Sequence, residues 1–224
     1  MPSHDPLALL FDLDGTLADS IALLLASFRH TFQAHGKAVP PNEEWIAGIG
    51  TPLITQMRHF VPTEDEAQRM ILTYRAFQRT HHDEMLHEFE GVDETLALLK
   101  SRGHPMALVT SKGNDLAHRA LEWLHLTRHI DVVVGMEATE RHKPEPDPVL
   151  HALAELGSTP SNALFLGDSP HDIAAGNAAG VISVAALWGP FPRTVLESAS
   201  PTYLLEHIRE LPALVGRLDA ARRS

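Results

Sequence analysis

Cysteine is absent from this chain of 224 residues. That excludes disulfides, thiolate zinc sites and a cysteine nucleophile, and it is compatible with a cytoplasmic location. Basic residues are also in short supply. Lys and Arg number 18 against 29 Asp and Glu, for a formal net charge of −11. Sequence-independent nucleic-acid binding draws its affinity from Lys and Arg on phosphates, so no nucleic-acid partner is expected. The 15 histidines soften that charge somewhat near pH 6. No basic stretch precedes the apolar run Leu7–Phe11, which is too short for a signal core. One uncharged stretch, residues 173–192, reaches the length of a membrane span. Gly176, Asn177, Gly180, Ser183, Gly189, Pro190 and Pro192 interrupt it, so it reads as helix, strand and turn, and no membrane partner is expected. Internal repeats and low-complexity segments are likewise missing.

Hydrophobic residues make up 44% of the chain, enough for a packed core. Short runs that are apolar at nearly every position recur at Leu7–Phe11, Met106–Val109, Val132–Val134, Ala163–Leu166 and Val181–Ala186. Such runs suit strands buried on both faces of a parallel sheet. Helical patterns lie between them near Asp93–Arg102, Asn114–Leu124, Pro148–Leu156 and Pro170–Ala179. This alternation predicts a doubly wound, Rossmann-like parallel α/β core, with its active site beyond the carboxyl ends of the strands. The rhythm breaks after the first strand. Ile21, Leu24, Leu25, Phe28 and Phe32, then Ile54, Met57 and Val61, then Met70, Ile71, Tyr74 and Phe77 follow helical spacing, with no strand run between them. An inserted helical domain over residues 19–90 is expected, with residues 1–18 and 91–224 forming the core. The tail from Pro201 reads as a short strand or turn and a closing helix.

Four features at predicted strand ends carry chemistry. Asp12 and Asp14 follow the first strand; residues two apart in extended chain share a side, and a divalent cation between them would offset their repulsion. Gly15 permits a sharp turn, although a polar Asp-Gly turn explains the same residues. Thr110 and Ser111 offer hydroxyls, and loop amides further donors, to a phosphoryl oxygen; Ser111 or Asn114 serving as a helix cap is the alternative. In Lys143-Pro144-Glu145-Pro146 the prolines are expected to hold an extended loop that aims the Lys143 ammonium, with Asp147 as N-cap of the next helix and Pro148 its first residue. In Gly167-Asp168-Ser169-Pro170-His171-Asp172, a cap at Ser169 with Asp172 three residues on accounts for everything except Asp168, a carboxylate suited to a metal. Together the four supply carboxylates, a hydroxyl and an ammonium on one rim. That set fits a Mg²⁺-dependent site for a phosphate ester.

In this order, Asp12-Leu13-Asp14-Gly15-Thr16, Thr110-Ser111, Lys143-Pro144 and Gly167-Asp168 with Asp172, the chain resembles the haloacid dehalogenase-like hydrolase superfamily over nearly its whole length. Ile49-Gly50-Thr51-Pro52-Leu53 is similar to a cap segment of the phosphoglycolate phosphatase and pyrophosphatase branch. The resemblance implies that Asp12 is the nucleophile, forming an aspartyl-phosphate, and that Asp14 is the acid and base. It implies Mg²⁺ held by Asp12, the Asp14 backbone carbonyl and Asp168, with Asp172 orienting that shell. It also implies a phosphoryl group held by Thr110, Ser111, Lys143 and amides of the Asp14-Gly15 loop. An acid at position 14 favours oxygen leaving groups, and the cap has a single lysine, Lys37, with no reason to place it at the site. The expected partner is a small phosphorylated metabolite, phosphoglycolate-like. A pyrophosphatase or nucleotidase, a β-phosphoglucomutase-like mutase and a non-catalytic binding protein are the alternatives. Gly48, Gly50, Thr51 and Arg58 lie near the segment that would meet the leaving group; Arg58 could bind a carboxylate or second phosphate there, but a solvated helix position is the favoured reading for it. The cluster of His81, His82, Asp83, Glu84 and His87 is expected to be a solvated helix end, and Trp45, Trp123 and Trp188 are expected to pack.

Overall fold

The computed structural model describes residues 6–222. Its first strand, β1 (Ala8–Phe11), is buried at all four positions. Leu9 and Phe11 join the apolar cluster on one face of the sheet, while Ala8 and Leu10 join the cluster on the other. This is the outcome of a period of two in a strand covered on both sides. The chain then passes through β2 (Ala18–Asp19) into four helices, α1 (Ile21–Ala34), α2 (Asn42–Ile46), α3 (Leu53–Phe60) and α4 (Glu64–Met85), and returns through β3 (His87–Glu88). After that strands and helices alternate: α5 (Val92–Ser101), β4 (Met106–Val109), α6 (Asn114–Trp123), β5 (Val132–Val134), α7 (Asp147–Leu156), β6 (Ala163–Gly167), α8 (Pro170–Ala179), β7 (Ile182–Ala186), α9 (Arg193–Ser198), β8 (Tyr203–Leu205) and α10 (Leu211–Arg222).

Six strands form one parallel sheet in the order β5-β4-β1-β6-β7-β8. From β1 the chain builds outward through β4 to β5, then returns to the other side of β1 and builds outward through β6, β7 and β8. The reversal falls between β1 and β6, and a crevice opens beyond the carboxyl ends of strands at such a point. Asp12 and Asp168 directly follow those two strands or close them.

The four helices of the insertion have their own aromatic core. Trp45 stacks on Phe28 with centroids 4.3 Å apart, and Phe32, Phe60 and Tyr74 surround the pair. Ile173, Phe191 and Leu196 of the α/β layer pack into the same cluster, so the insertion sits down on the strand ends. Thr63 caps α4 by accepting from the Glu66 amide, and Glu64, Asp65 and Glu66 face the positive end of the helix dipole.

Three expectations need correction. The insertion is bounded by strands after all: β2 and β3 pair antiparallel over two residues each, too short for any periodicity to reveal. The loop after Lys143 is not extended, because the Glu145 amide turns back to the His142 carbonyl at 2.9 Å. Asp147 is not the cap of α7 but its first residue, following Pro146, and one of its carboxylate oxygens accepts from Arg141 at 3.0 Å. No helix among the described residues is long and apolar enough to cross a membrane, and residues 173–192 divide into helix, strand and turn as the sequence suggests.

Candidate active site

Asp12 keeps its backbone in the sheet, its amide donating to the Leu166 carbonyl at 2.9 Å, and its side chain enters the crevice almost fully buried. Asp168 arrives at the same depth from the end of β6. Its Oδ1 accepts from the Thr16 hydroxyl at 2.8 Å, while its buried Oδ2 has no hydrogen-bond partner. Gly15 leaves the space that Asp168 uses: its φ is +86°, and a Cβ there would lie 2.4 Å from Asp168 Oδ2. Any side chain at that position would meet both a strained backbone and a collision.

Asp172 reaches the crevice because α8 begins with a full capping box. The Ser169 hydroxyl accepts from the Asp172 amide at 3.2 Å, and the Ser169 amide donates to Asp172 Oδ2 at 3.0 Å. The cap occupies Oδ2 and leaves Oδ1 facing inward, where Lys143 Nζ donates to it at 2.6 Å. The same ammonium donates to Asp12 Oδ1 at 2.7 Å and to the Val109 carbonyl at 3.3 Å. Burial alone would lower the Lys143 pKa, but the charges of Asp12 and Asp172 outweigh it and hold the ammonium above its ordinary range.

The balance of charge favours a cation. Asp12, Asp168 and Asp172 each offer a buried oxygen within 4.8 Å of the others. Against these three carboxylates stands one ammonium, an excess of two negative charges. Burial pushes the Asp12 carboxyl up to about 7; Lys143 pulls it down, and the charges of Asp172 and Asp14 add to the rise. Asp168 is raised well above the carboxylate range, first by burial and then by the charges of Asp172 and Asp12. A hard divalent ion takes oxygen ligands and would oppose both rises by favouring the ionised carboxylates. The orphaned Oδ2 of Asp168 and the excess charge fit Mg²⁺.

Asp14 sits nearer the surface and pairs with Lys112 Nζ at 2.9 Å. Thr110 is buried at the end of β4, its hydroxyl accepting from the Lys112 amide at 3.2 Å. Ser111 turns the other way: its hydroxyl donates to the Gly50 carbonyl of the insertion at 2.6 Å. Gly50 has φ +99° and lies so close that a Cβ there would be 2.5 Å from Ser169 Oγ. Core and insertion therefore touch directly above the carboxylates. Between them lies a cavity of about 80 Å³, lined by Asp12, Asp14, Thr110 and Lys112 from below. Gly50 and Thr51, with Gln56, Tyr74, Arg75 and Gln78, line it from the insertion.

Of the expected residues, Asp12, Asp14, Gly15, Thr110, Lys143, Asp168 and Asp172 converge on this crevice, and Gly50, Thr51 and Ser111 lie over it. Arg58 does not join them; its guanidinium makes a two-pronged contact with Glu64 at 2.6 and 2.9 Å on the outside of the insertion. Asp83, Glu84 and His87 are exposed, as expected of a solvated helix end, but His82 is buried against Asp83, which is also held by Arg119 across from the core. Burial lowers the His82 pKa despite that carboxylate. Trp45 and Trp188 pack, whereas Trp123 is 45% exposed and donates to the Leu86 carbonyl. Sequence reasoning overlooked Lys112, although it directly follows Thr110-Ser111, and overlooked Arg75, for which no local signal exists.

A parallel sheet whose switch-point strands end in buried carboxylates, with one lysine joining Asp12 to Asp172 and a helical insertion overhead, defines an α/β protein of Rossmann-like build with a charged site at its switch point. A family profile described as haloacid dehalogenase-like hydrolase matches residues 9–186, and the chain belongs to that family. A PpaX protein of Caldanaerobacter subterraneus is 42% identical over 95% of this chain and 96% of its own. The pyrophosphatase PpaX of Bacillus velezensis is 35% identical over 93% of this chain and 96% of its own. A solved haloacid dehalogenase-like family hydrolase from Streptococcus pneumoniae is similar in structure, with a TM-score of 0.82 and 25% identity over 93% of this chain and 98% of that one.

Proposed function

We propose that the protein is a Mg²⁺-dependent phosphohydrolase of small phosphorylated metabolites, with the helical insertion acting as a cap. The observation that carries this reading is the convergence of Asp12, Asp168 and Asp172 on one another at the switch point, with Lys143 pairing Asp12 and Asp172. Asp12, Asp168 and the Asp14 carbonyl would hold the ion, with Asp172 adjoining. When bound it supplies positive charge that relieves repulsion between carboxylate and phosphate. Asp12 attacks phosphorus and the bond to the leaving oxygen breaks, giving an aspartyl-phosphate. Asp14 gives its proton to that oxygen, then takes one from the water that attacks phosphorus, releasing phosphate and freeing Asp12. Thr110 and Lys143 hold the phosphoryl oxygens as charge develops.

Two substrates stand first. The cavity, at about 80 Å³, falls well below the ~300 Å³ lower end of pockets for larger ligands, which favours a compact leaving group over a hexose or nucleoside. Inorganic pyrophosphate is supported by the name of the Bacillus velezensis relative, and phosphoglycolate is the second reading. Comparing kcat/KM for the two decides between them.

Chelation should silence the enzyme. Phosphate release from either substrate is expected to stop in excess EDTA and to return with Mg²⁺; undiminished release in EDTA would contradict the reading. Asp14→Asn is expected to lower kcat on these substrates by roughly 10²–10⁴-fold. With 2,4-dinitrophenyl phosphate, whose leaving oxygen needs no proton, the variant should show a burst of phenolate followed by slow turnover. A uniform loss without a burst would remove Asp14 from the acid role.

A further inference from the structure

The insertion brings into the cavity one cation that no group of the protein answers. Arg75 and Gln78 lie three residues apart on α4 and both line the cavity. Among the described residues Arg75 is the one partly buried arginine whose guanidinium makes neither an ion pair nor a hydrogen bond. The other partly buried arginines, Arg119 and Arg222, are paired with Asp83 and Asp219. Those that also lack partners, Arg29, Arg79 and Arg217, are exposed to water. The acids of the cavity are no use to Arg75 either, since Asp12 is taken by Lys143 and Asp14 by Lys112.

Withdrawing a guanidinium from water without a partner is costly, and its planar fork of donors matches an oxyanion. The reacting phosphorus belongs at the Asp12 floor. Arg75 and Gln78 belong to the roof, on the side where the leaving group extends. We infer that Arg75, assisted by Gln78, is a specificity-determining residue that binds an oxyanion on the leaving portion of the substrate, a second phosphoryl group or a carboxylate. The inference rests on the phosphohydrolase reading for its orientation, and its test does not depend on turnover.

The test is calorimetric titration, with Mg²⁺ present, of wild type, Arg75→Ala and Arg75→Lys. The probes are methylenediphosphonate, phosphonoacetate and methylphosphonate, of which only the last lacks a second anionic group. Wild type should prefer the first two, and Arg75→Ala should cut that preference about tenfold or more. Arg75→Lys, which keeps the charge without the fork, should recover part of it. Whichever of the two doubly anionic probes loses more identifies a phosphoryl or a carboxylate partner. In turnover, the ratio of kcat/KM for pyrophosphate to that for acetyl phosphate should fall in parallel, chiefly through KM. An unchanged preference in Arg75→Ala, or a wild type that binds methylenediphosphonate no better than methylphosphonate, overturns the inference. Binding as expected without hydrolysis of any phosphate would overturn the phosphohydrolase reading and leave the Arg75 subsite standing.

Discussion

Asp12→Asn is expected to lower turnover by on the order of 10⁶-fold, as for loss of a nucleophile elsewhere, while the fold survives. An amide oxygen cannot take the place of the carboxylate that attacks phosphorus, and neither Asp168 nor Asp172 is free to do so. Asp168 accepts from Thr16 on Oδ1 and its unpartnered Oδ2 is the oxygen assigned to the ion, and Asp172 is held by its capping box and Lys143. Structure should not suffer. Asp12 is one of three buried acids clustered together with a single ammonium between two of them, and burial already pushes its carboxyl up to about 7. Replacing it with a neutral isostere removes repulsion, and Lys143 keeps Asp172 at 2.6 Å. The melting temperature in metal-free buffer should therefore hold or rise while phosphate release disappears. Equal rates for wild type and variant would end the nucleophile assignment. A collapse of the melting temperature would show instead that Asp12 is needed for the fold.

Lys143→Met should have the largest effect on stability. Nζ lies between two buried carboxylates and is itself almost fully buried. Taking away one partner of a buried ion pair leaves uncompensated charge and costs roughly 3–5 kcal/mol. At roughly 2–4 °C per kcal/mol for a domain of this size, melting should fall by about 6–20 °C in metal-free buffer. Methionine preserves most of the volume, so the loss reports the charge and not a cavity. Mg²⁺ should raise the melting temperature of the variant more than that of wild type, because an added cation takes over part of the neutralisation. An unchanged melting temperature would mean that the Lys143 ammonium does not offset the charge of this cluster.

The floor of the site was legible because it is built from local signals. β1 and β6 are short runs without polar positions, and a carboxylate directly after such a run has no structural duty there. The α8 boundaries follow from Ser169, Pro170 and Asp172, a cap whose parts are adjacent in sequence. The roof was not legible in the same way. Arg75 and Gln78 reach the cavity because α4 is packed against α1 by its apolar face, and which flank of that face then overlooks Asp14 depends on how the helices sit on the strand ends. Periodicity identifies the buried stripe and is silent about its borders. Arg58 illustrates the converse: it is close in sequence to Gly50 and Thr51, yet one and a half turns into α3 it faces outward to Glu64, in the solvated position favoured from the sequence. His82 departs from its neighbours for a similar reason: Asp83 and Glu84 at the end of α4 face solvent, while the His82 side chain turns inward.

The narrow ribbon of β2 and β3 carries both crossings of the chain between the α/β layer and its roof, side by side, with Ala18 opposite Glu88 and Asp19 opposite His87. A body tethered at one edge by two adjacent strands has one easy axis of rotation, like a page in a binding. Swinging about that axis breaks the Ser111–Gly50 contact and withdraws Gly50, Thr51, Arg75 and Gln78 from the floor together. The residues proposed to choose a molecule would thus travel as one block, and those proposed to transform it would stay where the sheet put them.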